Sequence, residues 1–152
     1  NMTSLTPAYP KDFNYYHPIQ VRYADLDTLL HVNNVAIMEY VETARTGYYR
    51  ATGIWDGTMS GGFGMVVASV HIDYLVSIQF DDTVRVGVRT ANIGGKSLRF
   101  QFQVESTDGE RAFARGEVVM VAFDHAENKS RLVPQDWRQK LAAFEKNDEF
   151  LA

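Results

Sequence analysis

Four extended segments follow one another in the second half of the chain, separated only by short turns. The segments cover residues 65–75, 83–92, 97–106 and 111–123. Turn-forming pairs stand between them, at Asp81-Asp82, Gly94-Gly95 and Asp108-Gly109. Connections this short join antiparallel neighbours and leave no room for crossover helices. The sequence therefore predicts an antiparallel meander of four strands.

A long amphipathic helix precedes the meander. Residues 35–50 carry apolar side chains at helical spacing, namely Ile37, Tyr40, Val41, Ala44 and Tyr48. Asn33 or Asn34 is a suitable N-cap for this helix. A glycine-rich stretch follows and predicts a loop, with glycines at Gly53, Gly57, Gly61, Gly62 and Gly64. The helix is the only long one that the sequence indicates.

The two ends of the chain complete the arrangement. Residues 16–23 have an extended pattern in which Pro18 marks a sheet edge. Residues 134–144 predict a short closing helix that begins at Pro134. We expect an α+β fold in which one sheet of about five strands covers one long helix. Residues 1–152 would form a single domain, and the open sheet edges favour self-association.

Composition excludes several classes of function. With 15 Lys and Arg against 19 Asp and Glu, the chain lacks the basic surface that nucleic acid binding requires. The absence of cysteine excludes a disulfide framework, a thiolate metal site and a thiol nucleophile. No apolar run is long enough to span a membrane, and no secretory leader is recognisable. We expect a soluble cytoplasmic protein without a cofactor or a metal.

Chemistry is concentrated in residues 21–34, which read VRYADLDTLLHVNN. A strand here delivers two aspartates and a histidine immediately before a helix N-terminus. That terminus presents unpaired N–H groups and partial positive charge, which would stabilise an oxyanion near Asn34. Asp25 or Asp27 would then attack a carbonyl or activate water for that attack.

This segment also resembles a known family. RYADLD, HVNN and YVETAR, followed in order by VHIDYL, GKSL and FD, are similar to the hotdog-fold thioesterases related to 4-hydroxybenzoyl-CoA thioesterase. The resemblance covers most of the chain. It implies hydrolysis of an acyl-CoA thioester, a curved antiparallel sheet wrapped around a central helix, and an active site between two subunits of a homodimer or a dimer of dimers.

The resemblance assigns roles to individual residues. Asp27 corresponds to the family's catalytic carboxylate, and the backbone amide at or next to Asn34 to the group that polarises the thioester carbonyl. His31 is a further catalytic candidate. The expected substrate-binding residues are Asn33, Lys96, Ser97 and Glu42, among which Lys96 would pair with a CoA phosphate. The acyl group and the choice between CoA and acyl carrier protein stay open.

Two departures from the family pattern affect these assignments. Leu30 stands before His31 where the family often has glycine, which concerns the geometry of the loop and the depth of the acyl pocket. Gly94 and Gly95 stand where some relatives have arginines. CoA would then be held by arginines elsewhere, with candidates at Arg85, Arg89, Arg99 and Arg131.

Purely structural roles compete with these assignments. Asp25 and Asp27 are also typical turn residues, because aspartate readily bonds its own backbone after a strand. His31 is equally compatible with a loop or packing role. Glu42 and Arg45 are three apart on the predicted helix and would form an intrahelical ion pair.

Other functions compete as well. DLDTLL resembles the nucleophile motif of haloacid dehalogenase phosphatases, but their parallel sheet requires crossover helices that are not predicted here. A hotdog-fold hydratase or dehydratase would use His31 with a carboxylate. A non-catalytic acyl-CoA-binding protein would bind the same ligand without turnover.

Overall fold

The computed structural model describes residue 10 and residues 12–58 and 64–152, so Gly61 and Gly62 of the predicted loop lie outside the described residues. In chain order, its elements are β1 (Tyr16–Ile19), a 3₁₀ turn (Tyr23–Asp25), α1 (Asn34–Thr52), β2 (Met65–Tyr74), β3 (Val84–Ile93), β4 (Ser97–Ser106), β5 (Ala112–Asp124), β6 (Lys129–Ser130), α2 (Gln135–Glu145) and a second 3₁₀ turn (Asp148–Leu151).

The sheet is antiparallel, and its strand order is β1-β3-β4-β5-β2, with β6 paired to β5. The predicted meander is confirmed for β3, β4 and β5. It is wrong for β2, which pairs with β5 instead of β3. Residues 75–83 must therefore pass three strand spacings, roughly 14 Å, which nine residues cross easily. A short connection allows two consecutive strands to pair with each other, but it does not require them to do so.

The first strand is shorter than predicted. It ends at Ile19, and a 3₁₀ turn occupies residues 23–25, because Asp25 accepts a hydrogen bond from the Arg22 amide and curls the backbone. Pro18 lies on β1, which is an edge strand, and pairs with Arg85 of β3. The predicted edge position of Pro18 is therefore confirmed. This early end of β1 releases the chain toward the N-terminus of α1.

Helix α1 packs its predicted apolar stripe against the sheet. All five stripe residues are buried, and Tyr48 is 0% exposed. The Tyr48 ring meets Phe100 of β4 edge-on, with ring centroids 5.9 Å apart. The sheet supplies the opposite half of the core from its inward-facing positions, including Val86, Val88, Leu98, Phe102 and Val118. The predicted α+β architecture is confirmed.

The closing helix α2 is confirmed close to its predicted bounds, with Pro134 as N-cap. It packs on the core through Trp137 and Leu141. Tyr48 of α1 donates a hydrogen bond to the Glu145 carboxylate, which ties the two helices together. Within the described ranges, none of the helices is long and apolar enough to cross a membrane.

Candidate active site

The segment between the 3₁₀ turn and α1 forms a tight turn centred on Asp27. The Asp27 N–H donates to the His31 carbonyl at 2.8 Å, and the Leu30 N–H donates to the Asp27 carbonyl at 3.0 Å. This geometry is a three-residue loop closed by a residue in the left-handed conformation. The closing residue is Leu30, with φ of 63°.

Leu30 therefore occupies a backbone conformation that glycine adopts freely and leucine does not. The left-handed region costs an L-residue roughly 1–2 kcal/mol. Burial of the side chain does not offset this cost, since Leu30 is 62% exposed. The loop adopts the left-handed geometry with leucine at this position, where the resemblance made glycine the expected residue.

The Asp27 carboxylate stabilises the turn with one of its oxygens. Oδ1 accepts hydrogen bonds from the Leu29 N–H at 2.9 Å and from the His31 N–H at 3.3 Å. Asp27 is exposed, and within the described part of the chain its Oδ2 accepts no hydrogen bond. The carboxylate thus has a turn-forming oxygen and an oxygen available for chemistry.

Asp25 differs from Asp27 although they are two residues apart. Asp25 is 2% exposed and accepts hydrogen bonds from the Arg22 amide at 2.9 Å, the Arg22 guanidinium at 2.8 Å and the Tyr40 hydroxyl at 2.5 Å. Burial raises the pKa of Asp25, but these hydrogen bonds outweigh burial, and its pKa lies below the ordinary value. Asp25 anchors the turn to α1.

Asn33 and Asn34 have different roles at the start of α1. The Asn33 side chain accepts from the Ala36 N–H at 2.8 Å and donates to the Asp25 carbonyl at 2.8 Å, so it is the N-cap. Asn34 is the first residue of α1, and among the described residues its N–H has no hydrogen-bond acceptor. An unpaired N–H at a helix N-terminus stabilises negative charge.

The connection between β2 and β3 passes directly beside this turn. The Val32 N–H donates to the Ile78 carbonyl at 2.9 Å, and His31 bridges to Gln79. Ile78 is 0% exposed and seats the connection in the core. The connection therefore holds the Asp27 turn against the end of the sheet.

A cavity of about 250 Å³ opens between the turn, α1 and the connection. Its walls are formed by Asp27, His31, Val32, Asn34, Ile37, Tyr74, Leu75, Val76 and Ser77. All three predicted catalytic residues border it, together with an apolar wall from the connection. The role of residues 75–77 was missed from the sequence, because Leu75 was taken as the end of a strand and residues 76 and 77 as part of a short link. The apolar character of Leu75 and Val76, unusual beside a turn, was the available signal.

The predicted substrate-binding residues lie elsewhere in the chain. Lys96 and Ser97 are at the β3–β4 turn, where the Lys96 Nζ lies 3.5 Å from the Ser130 hydroxyl. The cavity is at the opposite end of the sheet, beyond the length of β4, roughly 30 Å for ten residues. Glu42 is exposed on α1 and borders other cavities. Asn33 does not line the Asp27 cavity.

Metal-binding geometry is also informative. Across the described ranges, no group of three or more His, Asp or Glu residues is arranged to hold a metal ion. The polar groups that border the Asp27 cavity include the Asp27 carboxylate, the His31 imidazole and the first residue of α1, Asn34.

Comparison with known proteins gives consistent matches. A family model described as the Thioesterase-like superfamily matches residues 21–141. The uncharacterized protein YsmA of Bacillus subtilis (strain 168) is 31% identical over 121 residues, covering 78% of each chain. The acyl-CoA thioesterase YbgC of Haemophilus influenzae is 27% identical over 92 residues, covering 59% of this chain and 68% of YbgC.

A solved structure extends the match to three dimensions. A thioesterase from Thermus thermophilus, crystallised with coenzyme A and Zn, superposes with a TM-score of 0.77 at 34% identity. The match covers 88% of this chain and 96% of that one. Fold and matches together define a hotdog-fold thioester hydrolase. The chain belongs to the Thioesterase-like superfamily.

Proposed function

We propose that this protein hydrolyses an acyl-CoA thioester to a free carboxylic acid and CoA, with Asp27 as the catalytic carboxylate. The observation that carries the proposal is one cavity bordered by Asp27 and Asn34. Asp27 supplies a carboxylate oxygen that accepts no hydrogen bond within the described residues, and Asn34 supplies an N–H that has no acceptor there. The free oxygen can act as a base or nucleophile, and the free N–H can stabilise an oxyanion.

In the general-base route, the Asp27 Oδ2 removes a proton from a water molecule that attacks the thioester carbonyl carbon. The carbonyl oxygen becomes negatively charged and accepts the Asn34 N–H. The C–S bond then breaks, and the proton on Asp27 passes to the leaving CoA thiolate. His31 borders the same cavity and is proposed to orient the water.

In the nucleophilic route, Asp27 attacks the carbonyl carbon itself, the C–S bond breaks and CoA leaves as the thiolate. Water then hydrolyses the resulting mixed anhydride to the free acid and the Asp27 carboxylate. Turnover in H₂¹⁸O tests for the form of this route in which water attacks the aspartyl carbonyl. Mass spectrometry of the Asp27 peptide finds ¹⁸O after the nucleophilic route when water attacks the aspartyl carbonyl. Repeated turnover without any label in the peptide supports the general-base route or attack at the acyl carbon.

Asp27→Asn tests the catalytic assignment. Asparagine retains an oxygen that accepts the Leu29 and His31 amides, so the turn is expected to persist while turnover falls by about 10² to 10⁴. Thiol release from a panel of acyl-CoAs is the assay, and the protein adds no cysteine background. Product analysis separates free acid from a hydrated or dehydrated acyl-CoA.

Asp108→Asn is the matched control. Asp108 is also exposed and also accepts the N–H two residues ahead, from Glu110 at 2.9 Å, but it lies in the β4–β5 turn. We expect the activity of Asp108→Asn to equal that of the unmodified protein. If Asp27→Asn were also as active as the unmodified protein, Asp27 would have no role in the mechanism.

CoA recognition is proposed to involve two subunits. Lys96 and Ser97 are too far from the Asp27 cavity of their own chain to act at its mouth, roughly 30 Å along the sheet. They would reach a CoA bound at the Asp27 cavity of a neighbouring subunit, where Lys96 pairs with a phosphate. Glu42 and the Asn33 backbone complete the proposed substrate contacts.

Self-association to a homodimer or a dimer of dimers is part of the same proposal. β2 is an edge strand, and its exposed apolar side chains include Val67, Val70 and Tyr74. Such an edge is normally covered by a partner.

Residues 1–152 are proposed to act as the single catalytic domain of each subunit, and the absence of cysteine is compatible with a cytoplasmic location. If the dimer is the active unit, the dimer fraction measured by sedimentation and the specific activity would fall together over a dilution series.

A further inference from the structure

Arg45 on α1 is a buried cation without the partner expected for it. Sequence spacing predicted an ion pair with Glu42, but this prediction is wrong: Arg45 forms no ion pair with any carboxylate in the described ranges. The side chain is 7% exposed, and its Nε has no hydrogen-bond partner. Glu42 itself is exposed, so its carboxylate remains in solvent.

This arrangement is costly unless an anion completes it. A guanidinium keeps its charge throughout the accessible pH range. Burying a charge without a counter-charge is strongly unfavourable, and proteins retain such groups where a carboxylate or phosphate binds them. The structure therefore indicates an anion beside Arg45 that the described part of the chain does not supply.

Arg45 forms part of the wall of a cavity of about 530 Å³. The cavity lies between the second half of α1, β1 and β5, and its walls include His17, Tyr49, Trp55 and Met120. A cavity of this size accommodates a small organic molecule. Aromatic and thioether side chains make much of its surface apolar, which suits a ligand with a hydrocarbon body.

The charges around the cavity favour an anion. Arg45 and Arg50 contribute two positive charges to its lining and Glu42 one negative charge. Burial lowers the pKa of His17, so His17 adds no charge at neutral pH. Burial raises the pKa of Tyr49 to about 12, with the Arg45 charge acting in the opposite direction, so the phenol keeps its proton. A net single positive charge matches a monoanion.

We propose that this cavity binds a free organic carboxylate, with the carboxylate on Arg45 and an aliphatic or aromatic body against Trp55 and Met120. The site is separate from the Asp27 cavity, because Asn34 and Arg45 are eleven residues apart on α1, about 16 Å along its axis. A carboxylic acid is also the product of the proposed hydrolysis. That link rests on the proposed function, whereas binding itself does not depend on turnover.

Titration of the full-length protein with octanoate and benzoate tests the proposal, using calorimetry and tryptophan fluorescence. Trp55 borders the cavity, while Trp137 is a buried residue of α2 and does not line the cavity. We expect saturable binding with one site per chain and a change in fluorescence. Octanol, which lacks the charge, and inorganic phosphate, which lacks the hydrocarbon body, are expected to bind at least tenfold more weakly.

Arg45→Met keeps the length of the side chain and removes its charge, and we expect octanoate binding to weaken about ten- to a hundredfold. Arg50→Met removes the other positive charge of the lining. Arg50 is exposed and its charge is screened by solvent, so we expect its loss to weaken binding only about two- to threefold, less than the loss of Arg45. Asp27→Asn should bind octanoate normally, so loss of turnover and loss of this site are distinguishable.

Trp55→Phe locates the ligand without altering Arg45. Calorimetric binding should persist while the fluorescence change disappears; a persisting fluorescence change would place the carboxylate elsewhere and overturn the proposal. Unchanged affinity in a folded Arg45→Met would overturn it too. If Arg45→Met dissociates the oligomer and leaves octanoate affinity unchanged, the missing anion is a carboxylate of a second copy of the chain.

Discussion

Replacing Leu30 by glycine measures the strain stored beside Asp27. Leu30 has a φ of 63° and is 62% exposed, so glycine relieves the left-handed conformation and removes a largely solvated side chain. Glycine also adds backbone freedom to the unfolded chain, which costs about 0.5–1 kcal/mol and obscures the relief. A matched substitution is needed to separate the two effects.

Leu29→Gly provides that control. Leu29 is the preceding residue, is 73% exposed and does not have positive φ. Both substitutions remove the same side chain and add the same backbone freedom, so the difference between their unfolding free energies isolates the strain. We expect Leu30→Gly to be more stable than Leu29→Gly by about 1–2 kcal/mol. For a chain of this length, that difference corresponds to about 2–8 °C in Tm.

Urea and thermal unfolding at one fixed protein concentration measure this difference, since self-association would otherwise shift Tm. Thiol release by the same variants shows whether the turn keeps its geometry. Equal stability of the two glycine variants, or a less stable Leu30→Gly, would refute the strain argument.

Three further substitutions test the framework of the site. Tyr40→Phe removes the hydroxyl that donates to the buried Asp25 at 2.5 Å, and urea unfolding should show a loss of about 1.5–3 kcal/mol; a loss below about 0.5 kcal/mol would contradict this contact. Because hydrogen bonding holds the folded-state pKa of Asp25 below its unfolded value, its stabilisation is complete above about pH 4 and is lost as pH falls through the folded pKa. Asp25→Asn should therefore flatten the decline of stability below about pH 4, and an unchanged slope would argue against it. Asn33→Ala removes the cap on the Ala36 amide and should cost about 1 kcal/mol, whereas Asn34→Ala, which leaves the cap intact, should cost much less; equal costs would count against Asn33 as the cap.

The sequence predicted the elements well because their signals are local. The apolar stripe of α1 repeats with the period of the helix and is buried as predicted. The bounds of β3, β4 and β5 lie within one residue of prediction, since turn-forming pairs separate them. The position of β2 was not predictable in this way, because pairing with β5 depends on the layout of the whole sheet.

Residue roles within the D-x-D pair show the same limit. Asp25 and Asp27 look alike in the sequence, and both were candidates for catalysis or for a turn. Tyr40, fifteen residues further along, donates a hydrogen bond to Asp25, which is buried, while Asp27 remains exposed. Arg22 is a local partner of Asp25, but the Tyr40 contact comes from another element and cannot be read from the neighbouring residues.

Local patterns in the sequence were enough to predict the α+β class, the long helix with its N-cap, and the family resemblance that the comparisons confirm. Three features emerged from the folded chain alone: residues 75–77 wall the Asp27 cavity, Lys96 lies at the far end of the sheet, and the buried Arg45 makes no ion pair with Glu42. Periodicity and capping act within one element, whereas cavities and buried charges arise where separate elements meet. The residues of such a site can be named from the sequence, but their arrangement depends on how the elements pack together.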